Sequence, residues 1–330
     1  MKTLLFFVSL SIFFIGCNQA IENTTVNSFR ECTSTSWGSD DSMDTNIYKT
    51  GRGALLGTRI ASFEEIKTIV QIEYENRPIT SDSTALENSW VKVHHCSYGR
   101  EVVSVLEKGT TEGDLQKAKD AILPRFKVLF GCPYAVMHRR DLGKIYSLAR
   151  IIPVSFGVDD VAFFDIAKAL VENINTPDLA FKNTRDSTEK GYLNTFNHMT
   201  AQAIITSCFS EELADFVADM HERDRHPELI TGRFTPAQIA NLEEGPVDNY
   251  VDIVNNEWGQ EIGKQLKIKY GINRATNWTP ELLANYLNDM QAYYIWAFQI
   301  GFKPFRAEDK VVRVFANKLN TVMTDDLSFD

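Results

Sequence analysis

The chain has 330 residues, of which 24% are charged and 44% are hydrophobic. This is an ordinary composition for a globular protein that can bury a sizeable core. The formal net charge is -10 and the sequence pI is about 5.2. Because nucleic-acid binding depends on clustered cations, and no basic run is present, this balance argues against nucleic acid as a partner.

The first 17 residues resemble the leader of a bacterial lipoprotein. Lys2 is followed by an apolar run over residues 4–15, which has signal-peptide length and is too short to span a membrane. The run ends in Phe-Ile-Gly before Cys17, similar to the lipobox that precedes a lipidated cysteine. We therefore predict a signal peptide over residues 1–16 and attachment to a lipid bilayer through Cys17. The alternative is an ordinary signal peptide that ends in a cysteine by chance.

Such a leader places the protein in the cell envelope, and Asn18 after the cysteine favours the outer membrane over the inner one. This compartment is oxidising, so the remaining cysteines are able to form disulfides. Two bridges with three connectivities, or buried free thiols, are all compatible with the sequence. The four cysteines concerned are Cys32, Cys96, Cys132 and Cys208.

The predicted elements begin after a polar segment over residues 17–61, which we interpret as a flexible tether. A helix is expected from Ser62, because Ser62 and Glu65 form a capping signal. Residues 90–96 and 101–106 predict two strands of a hairpin that turns at Tyr98 and Gly99. Further helices are expected over residues 112–130 and 134–151. Residues 62–152 would thus form a small α+β portion.

The rest of the chain, residues 153–330, predicts a multi-helix domain, so that the fold class is mainly α. Apolar residues recur here at helical spacing. Thr279 with Pro280 indicates a helix start, and Gly271 a helix end. The predicted helices cover residues 159–173, 190–208, 210–224, 246–270, 280–300 and 307–322.

Polar residues concentrate between residues 194 and 263, where a plain helical bundle would not need them. Three groups, each on one predicted helix, are Asn194, Phe196 and His198; Asp219, His221 and Glu222; and Asp252, Asn255, Asn256, Gly259 and Gly263.

Helical spacing limits what each group can do. Asn194 and His198 share a face, as do Asp219 and Glu222, whereas His221 points about 200° away from Asp219. It follows that His221 and Asp219 cannot converge on one atom within a regular helix. On the third helix Asp252, Asn255 and Asn256 are expected to converge. Gly259 and Gly263 would let another helix approach closely.

Two chemical interpretations follow from these residue types. A histidine and carboxylates from separate helices can form an oxygen-rich site for a divalent metal, or an acid and base pair at a cleft. Alternatively, the same residues form a structural hydrogen-bond network in a non-catalytic binding protein. In the first interpretation the catalytic or metal-binding residues are His198, Asp219, Glu222 and Asp252, supported by Asn194, His221, Asn255 and Asn256.

The three motifs Asn194-Thr-Phe-Asn-His198, Asp219-Met-His-Glu222 and Asp252-Ile-Val-Asn-Asn256 with Gly259 resemble a helical bacterial domain family of unknown function. Its members occur in secreted proteins and at the C-termini of polymorphic toxins. The order and spacing are similar across about 70 residues, but Asn197 stands where the family has arginine. The resemblance implies a helical domain with these residues as its polar centre, and no established reaction.

Together these features predict an envelope lipoprotein that is a hydrolase, metal-assisted or not, or a toxin-like effector acting on an envelope or exported substrate. A non-catalytic lipoprotein that binds a protein partner is the alternative.

Overall fold

A computed structural model describes residues 52–75, 90–120, 131–226, 229 and 234–324 of the chain. The predicted leader, Cys17, Cys32 and most of the predicted tether lie outside these residues. Among the described residues, no helix has the length and apolar character needed to cross a membrane.

The N-terminal portion contains a helix and a three-stranded antiparallel sheet. Helix α1 (Phe63–Ile69) begins at the predicted cap, where the Ser62 side chain accepts a hydrogen bond from the backbone N–H of Glu65. Strands β1 (Gln71–Glu75), β2 (Trp90–Ser97) and β3 (Arg100–Glu107) lie in the order β1-β2-β3. The predicted hairpin is confirmed as β2 and β3, whereas β1 was not expected.

The remaining elements are helices, which confirms the predicted mainly α fold with a small α+β portion. The first group is α2 (Glu112–Asp120), α3 (Pro133–Met137), α4 (Arg139–Ala149), α5 (Pro153–Phe156), α6 (Phe163–Glu172) and α7 (Pro177–Ala180). The second is α8 (Asn194–Cys208), α9 (Glu211–Arg223), α10 (Pro236–Ala240), α11 (Pro246–Tyr270), α12 (Pro280–Phe298) and α13 (Lys310–Thr324).

Helices α8 and α11 cross at very short range in the centre of the fold. A Cβ added at Gly259 would lie 2.6 Å from the backbone oxygen of Met199, and one at Gly263 would lie 2.5 Å from that of Ala203. Because no side chain larger than hydrogen fits there, the predicted glycine seam is confirmed. The close crossing brings the polar residues of both helices together.

The sheet rests on the long helix α11. The indole N–H of Trp258 donates a hydrogen bond of 2.9 Å to Nδ1 of the buried His95 on β2. One continuous hydrophobic cluster extends from Ala54 to Val322. The α+β portion and the helical part therefore share a core.

Residues 52–61 differ from the sequence prediction, which assigned them to the flexible tether. Leu55 and Ile60 are completely buried. The side-chain amide of Asn255 accepts a hydrogen bond from the backbone N–H of Leu55 and donates another to its carbonyl oxygen, at 2.8 and 3.0 Å. The polar composition of the segment concealed these few apolar residues, which insert beside α8 and α11.

The cysteines divide between the two states that the sequence left open. Cys96 on β2 is disulfide-bonded. Cys132 and Cys208 are free thiols, both buried. Burial raises the pKa of the Cys208 thiol to about 12, so this side chain is an inert part of the core.

Candidate functional site

The close crossing of α8 and α11 places His198 directly against Asp252 and Asn256. Nδ1 of His198 lies 3.0 Å from Oδ1 of Asn256, and Nε2 lies 3.4 Å from Oδ2 of Asp252. Asp252 and Asn256 are four residues apart, so they present their side chains on one face of α11. This part of the predicted convergence is confirmed.

The Asn256 contact defines the tautomer of His198. A side-chain amide oxygen can only accept, so Nδ1–H of His198 donates to it and a neutral ring keeps its lone pair on Nε2. Nε2 then faces the Asp252 carboxylate, which is also an acceptor. The two atoms attract each other only when a proton or another cation lies between them. The other oxygen of Asp252, Oδ1, accepts a hydrogen bond of 2.7 Å from the Asn194 amide.

Glu222, in the last turn of α9, completes the cluster. The residue is 1% exposed, and neither carboxylate oxygen accepts a hydrogen bond from a described residue. One ligand atom each from His198, Glu222 and Asp252 lies within 4.8 Å of the others. Buried polar groups without a partner are rare and costly, so this carboxylate requires an explanation.

Electrostatics in the cluster disfavour its negative charge. Burial, and then the neighbouring Asp252, raise the pKa of Glu222 well above its ordinary value. Burial and Asp252 also raise the pKa of Asp248, one turn earlier on α11, to about 6, although Lys190 lies 2.8 Å from its carboxylate. Among the described residues, the three carboxylates of Glu222, Asp248 and Asp252 therefore lie close together, and Lys190 supplies one positive charge beside them.

The C-terminal end of α9 is fixed by residues that the sequence analysis did not single out. The carbonyl oxygen of Glu222 accepts hydrogen bonds from the backbone N–H of Arg225, at 2.8 Å, and from Nδ1 of His226, at 3.0 Å. Burial lowers the pKa of His226 to about 4, so this ring is neutral. The Asn249 amide donates to the carbonyl oxygen of Arg225 at 2.6 Å. The spacing of Glu222 and His226, four residues apart, was the available signal.

One edge of the cluster reaches solvent. His221 lies with its ring centroid 6.1 Å from that of His198, and its Nδ1 is 3.0 Å from Oε2 of Glu112 on α2. The side chains of His221 and Glu112 are 38% and 47% exposed. Arg225, whose side chain is 42% exposed, lies at the same edge, 4.0 Å from Asp252. The buried ligand atoms therefore lie behind a polar, accessible rim.

Asp219 is not brought to this cluster, contrary to its predicted catalytic or metal-binding role. Its carboxylate pairs with Arg223 at 2.9 Å, and Arg223 also donates to the carbonyl oxygens of Glu107 and Thr110. Asp219 thus attaches α9 to the end of β3. The sequence could not choose between Asp219 and Glu222, because both lie on the same face of α9.

Asn255 was also expected to support the site, and the structure gives it another role. Both ends of its side-chain amide bind the backbone of Leu55. Of the two adjacent asparagines, only Asn256 contacts His198. The predicted separation of His221 from Asp219 is confirmed, since His221 lies at the rim.

The donor set fits a single divalent cation. Imidazole nitrogen with carboxylate oxygens suits Zn²⁺, Mn²⁺ or Fe²⁺, and three protein ligands leave further coordination positions for water or substrate. Asn256 and Asn194 would supply the outer hydrogen bonds that orient such ligands. A cation here would also provide the partner that Glu222 lacks among the described residues.

Comparisons with protein-family profiles, with characterised proteins and with solved structures gave no match to this chain.

Proposed function

We propose that this protein is a metal-dependent hydrolase of the bacterial cell envelope, with one divalent ion held by His198, Glu222 and Asp252. The observation that carries the proposal is the Glu222 carboxylate, which is buried and accepts no hydrogen bond from a described residue. One of its oxygens lies within 4.8 Å of a histidine nitrogen and of an oxygen of a second carboxylate.

The metal, when bound, would lower the pKa of a coordinated water toward ~7 and so supply hydroxide at neutral pH. The chain would contribute the positioning. Asn256 holds the His198 ring with Nε2 toward the ion, and Asn194 holds Oδ1 of Asp252 so that Oδ2 faces the same point. The short crossing at Gly259 keeps α8 and α11 in this relation.

His221 is placed to accept a proton at the rim. Its Nδ1–H donates to Glu112, which leaves Nε2 free to take a proton from a water or to give one to a leaving group. This carboxylate-imidazole pair reproduces the base and orienting group of general-base catalysis. His221 thus acts in proton transfer and not as a metal ligand.

The alternative, a purely structural network in a binding protein, requires that every buried member be satisfied. Asp186 is an example in this chain of a buried carboxylate that is satisfied by hydrogen bonds. Its carboxylate receives hydrogen bonds from Thr58, Arg59 and two backbone N–H groups, at 2.6 to 3.3 Å. Glu222 has no comparable set among the described residues, which supports the metal site over the structural one.

The experiment is metal binding to the full mature chain, carrying Cys17→Ser so that it stays free of lipid. Metal content by mass spectrometry and titration calorimetry with Mn²⁺ and Zn²⁺ should show one ion per chain. His198→Ala should remove this binding, together with the hydrolysis of nitrophenyl esters. His94→Ala is the matched control, because His94 lies on β2 and bonds to Glu101 instead. Equal metal binding by wild type and His198→Ala would contradict the proposal.

We also propose that the chain is attached to the outer membrane through lipid on Cys17, as the leader sequence predicts. Metabolic labelling with palmitate should mark the wild-type protein. Cys17→Ala should abolish both labelling and membrane fractionation. A wild-type protein released in soluble form would refute the anchor without bearing on the metal site.

A further inference from the structure

We propose that the substrate is a phosphate ester, and that the Arg225 guanidinium binds its non-bridging phosphate oxygens; this rests on the proposed metal-dependent hydrolysis. Arg225 follows α9 and has its side chain at the solvent edge of the cluster. Its NH1 group lies 4.0 Å from Oδ2 of Asp252, beyond hydrogen-bond distance. No hydrogen bond joins its guanidinium to another described residue.

The backbone of Arg225 is fixed although its guanidinium is not. Its N–H donates to the carbonyl oxygen of Glu222 at 2.8 Å, and its own carbonyl oxygen accepts from the Asn249 amide at 2.6 Å. The side chain therefore leaves the main chain from a constant point beside a proposed metal ligand. Such placement reduces the ordering cost when the guanidinium binds a ligand.

Charge balance at the site favours an anionic substrate. A divalent ion would neutralise Glu222 and Asp252, and Arg150, 3.7 Å from Glu112, neutralises that rim carboxylate. Among the described residues, no carboxylate then lies within hydrogen-bond distance of the Arg225 guanidinium to neutralise it. A neutral peptide bond makes no use of it, whereas a phosphate diester carries one negative charge and gains more in its transition state.

The shape of the guanidinium points the same way. Its planar fork of N–H donors matches two oxygens of one phosphate group, and such paired contacts are short and strong. In the reaction, a water oxygen held at the site would form a bond to phosphorus as the ester P–O bond breaks. His221 would take the proton of that water and pass it to the departing alcohol oxygen, so that a phosphate diester yields a phosphate monoester and an alcohol.

The test compares Arg225→Met with Arg274→Met, both in the full mature chain with Cys17→Ser. Arg274 is a suitable control because its exposed guanidinium pairs with Asp141, outside the cluster. The first measurement is Mn²⁺ affinity, the second is the affinity of the Mn²⁺-loaded protein for inorganic phosphate, both by calorimetry. The third is kcat/KM for bis(4-nitrophenyl) phosphate and for the uncharged 4-nitrophenyl acetate.

We expect Arg225→Met to bind Mn²⁺ at least as tightly as wild type does, because a positive charge 4.0 Å from Asp252 is removed, and to bind phosphate at least about 10-fold more weakly. Hydrolysis of the phosphate diester should fall by a similar or larger factor, while that of the acetate ester changes little. Arg274→Met should match wild type throughout. Unchanged phosphate binding in Arg225→Met, or an equal loss for both esters, would overturn the inference while leaving the metal site intact.

A wild-type protein that binds no Mn²⁺ would instead refute the proposed function. In that case phosphate binding alone decides about Arg225. If wild type binds inorganic phosphate and Arg225→Met does not, Arg225 remains an anion-binding residue. If wild type binds no phosphate either, both proposals are refuted. If the protein binds acetate more tightly than phosphate, the inferred phosphate ester is wrong and the substrate is a carboxylate.

Discussion

The substitution Glu222→Gln separates stability from metal binding. Glu222 is an internal carboxylate beside Asp252, and its pKa lies well above the ordinary 4.5 because of burial. Keeping it inside the metal-free protein at pH 7 costs free energy, whether as a buried charge or as a proton taken up on folding. The cost is greatest if Glu222 is ionised in the unfolded chain and fully protonated in the folded one. Protonating a carboxylate of ordinary pKa 4.5 at pH 7 costs about 3 kcal/mol, which is therefore the upper limit.

Glutamine has nearly the same shape and carries no charge, so the variant avoids this cost. Its amide has polar atoms of its own that need partners, at about 1 kcal/mol or more if they stay unmet. We therefore expect the metal-free variant to be more stable than wild type by about 1 to 2 kcal/mol, or about 2–6 °C in Tm. At a metal concentration of 100 Kd, wild type gains about 2.7 kcal/mol and the variant gains nothing, so their order reverses.

Thermal unfolding with and without Mn²⁺ measures this reversal directly. Glu64→Gln is the matched control, because it makes the same chemical change at a side chain that is 81% exposed. It should shift stability by less than about 0.5 kcal/mol and leave the metal effect unchanged. The reasoning is refuted if Glu222→Gln lowers the stability of the metal-free protein by more than 1 kcal/mol, or if Mn²⁺ stabilises it as much as wild type.

Three other predictions test the surroundings of the site. Asp186→Ala should lower the free energy of unfolding in urea by about 3–5 kcal/mol, because Thr58, Arg59 and two backbone N–H groups lose their buried acceptor; a loss below 1 kcal/mol would contradict this. Gly259→Ala should cost about 1–3 kcal/mol and weaken metal binding, since the new methyl meets the Met199 backbone; unchanged Tm would argue against the close crossing. Burial raises the pKa of Asp215 to about 6, so stability falls as pH rises through this value. Asp215→Asn should therefore raise Tm at pH 7 and flatten its dependence between about pH 4 and 7; parallel curves would speak against it.

Local signals predicted most elements of the fold. Ser62 and Thr279 cap helices where expected, and Gly271 ends α11 with a positive φ of 62°. Strand β1 was missed because its sequence, Gln-Ile-Glu-Tyr-Glu, is only five residues long and carries only two apolar residues. It forms a strand because it pairs with β2, a long-range interaction that periodicity does not report.

The candidate site was predictable only within single helices. The spacing of Asp252 and Asn256 correctly placed them on one face, and the glycine seam indicated the close approach of another helix. The choice of Glu222 over Asp219 depends on how α9 is rotated against α11, which Arg223 and the end of β3 determine. Arg225 lies beyond the helix, where spacing along α9 no longer predicts direction.

The buried segment around Leu55 gives the N-terminal side of the chain a mechanical link to the site. Asn255 binds the Leu55 backbone, and its neighbour Asn256 binds His198, so one turn of α11 carries both attachments. A pull on the chain before residue 55 would load this turn together with Ala297 and Thr195, which also hydrogen-bond to the backbone of residues 52 and 55. If the chain is tethered through Cys17, part of the tension in that tether would reach the His198 ring through these two adjacent asparagines.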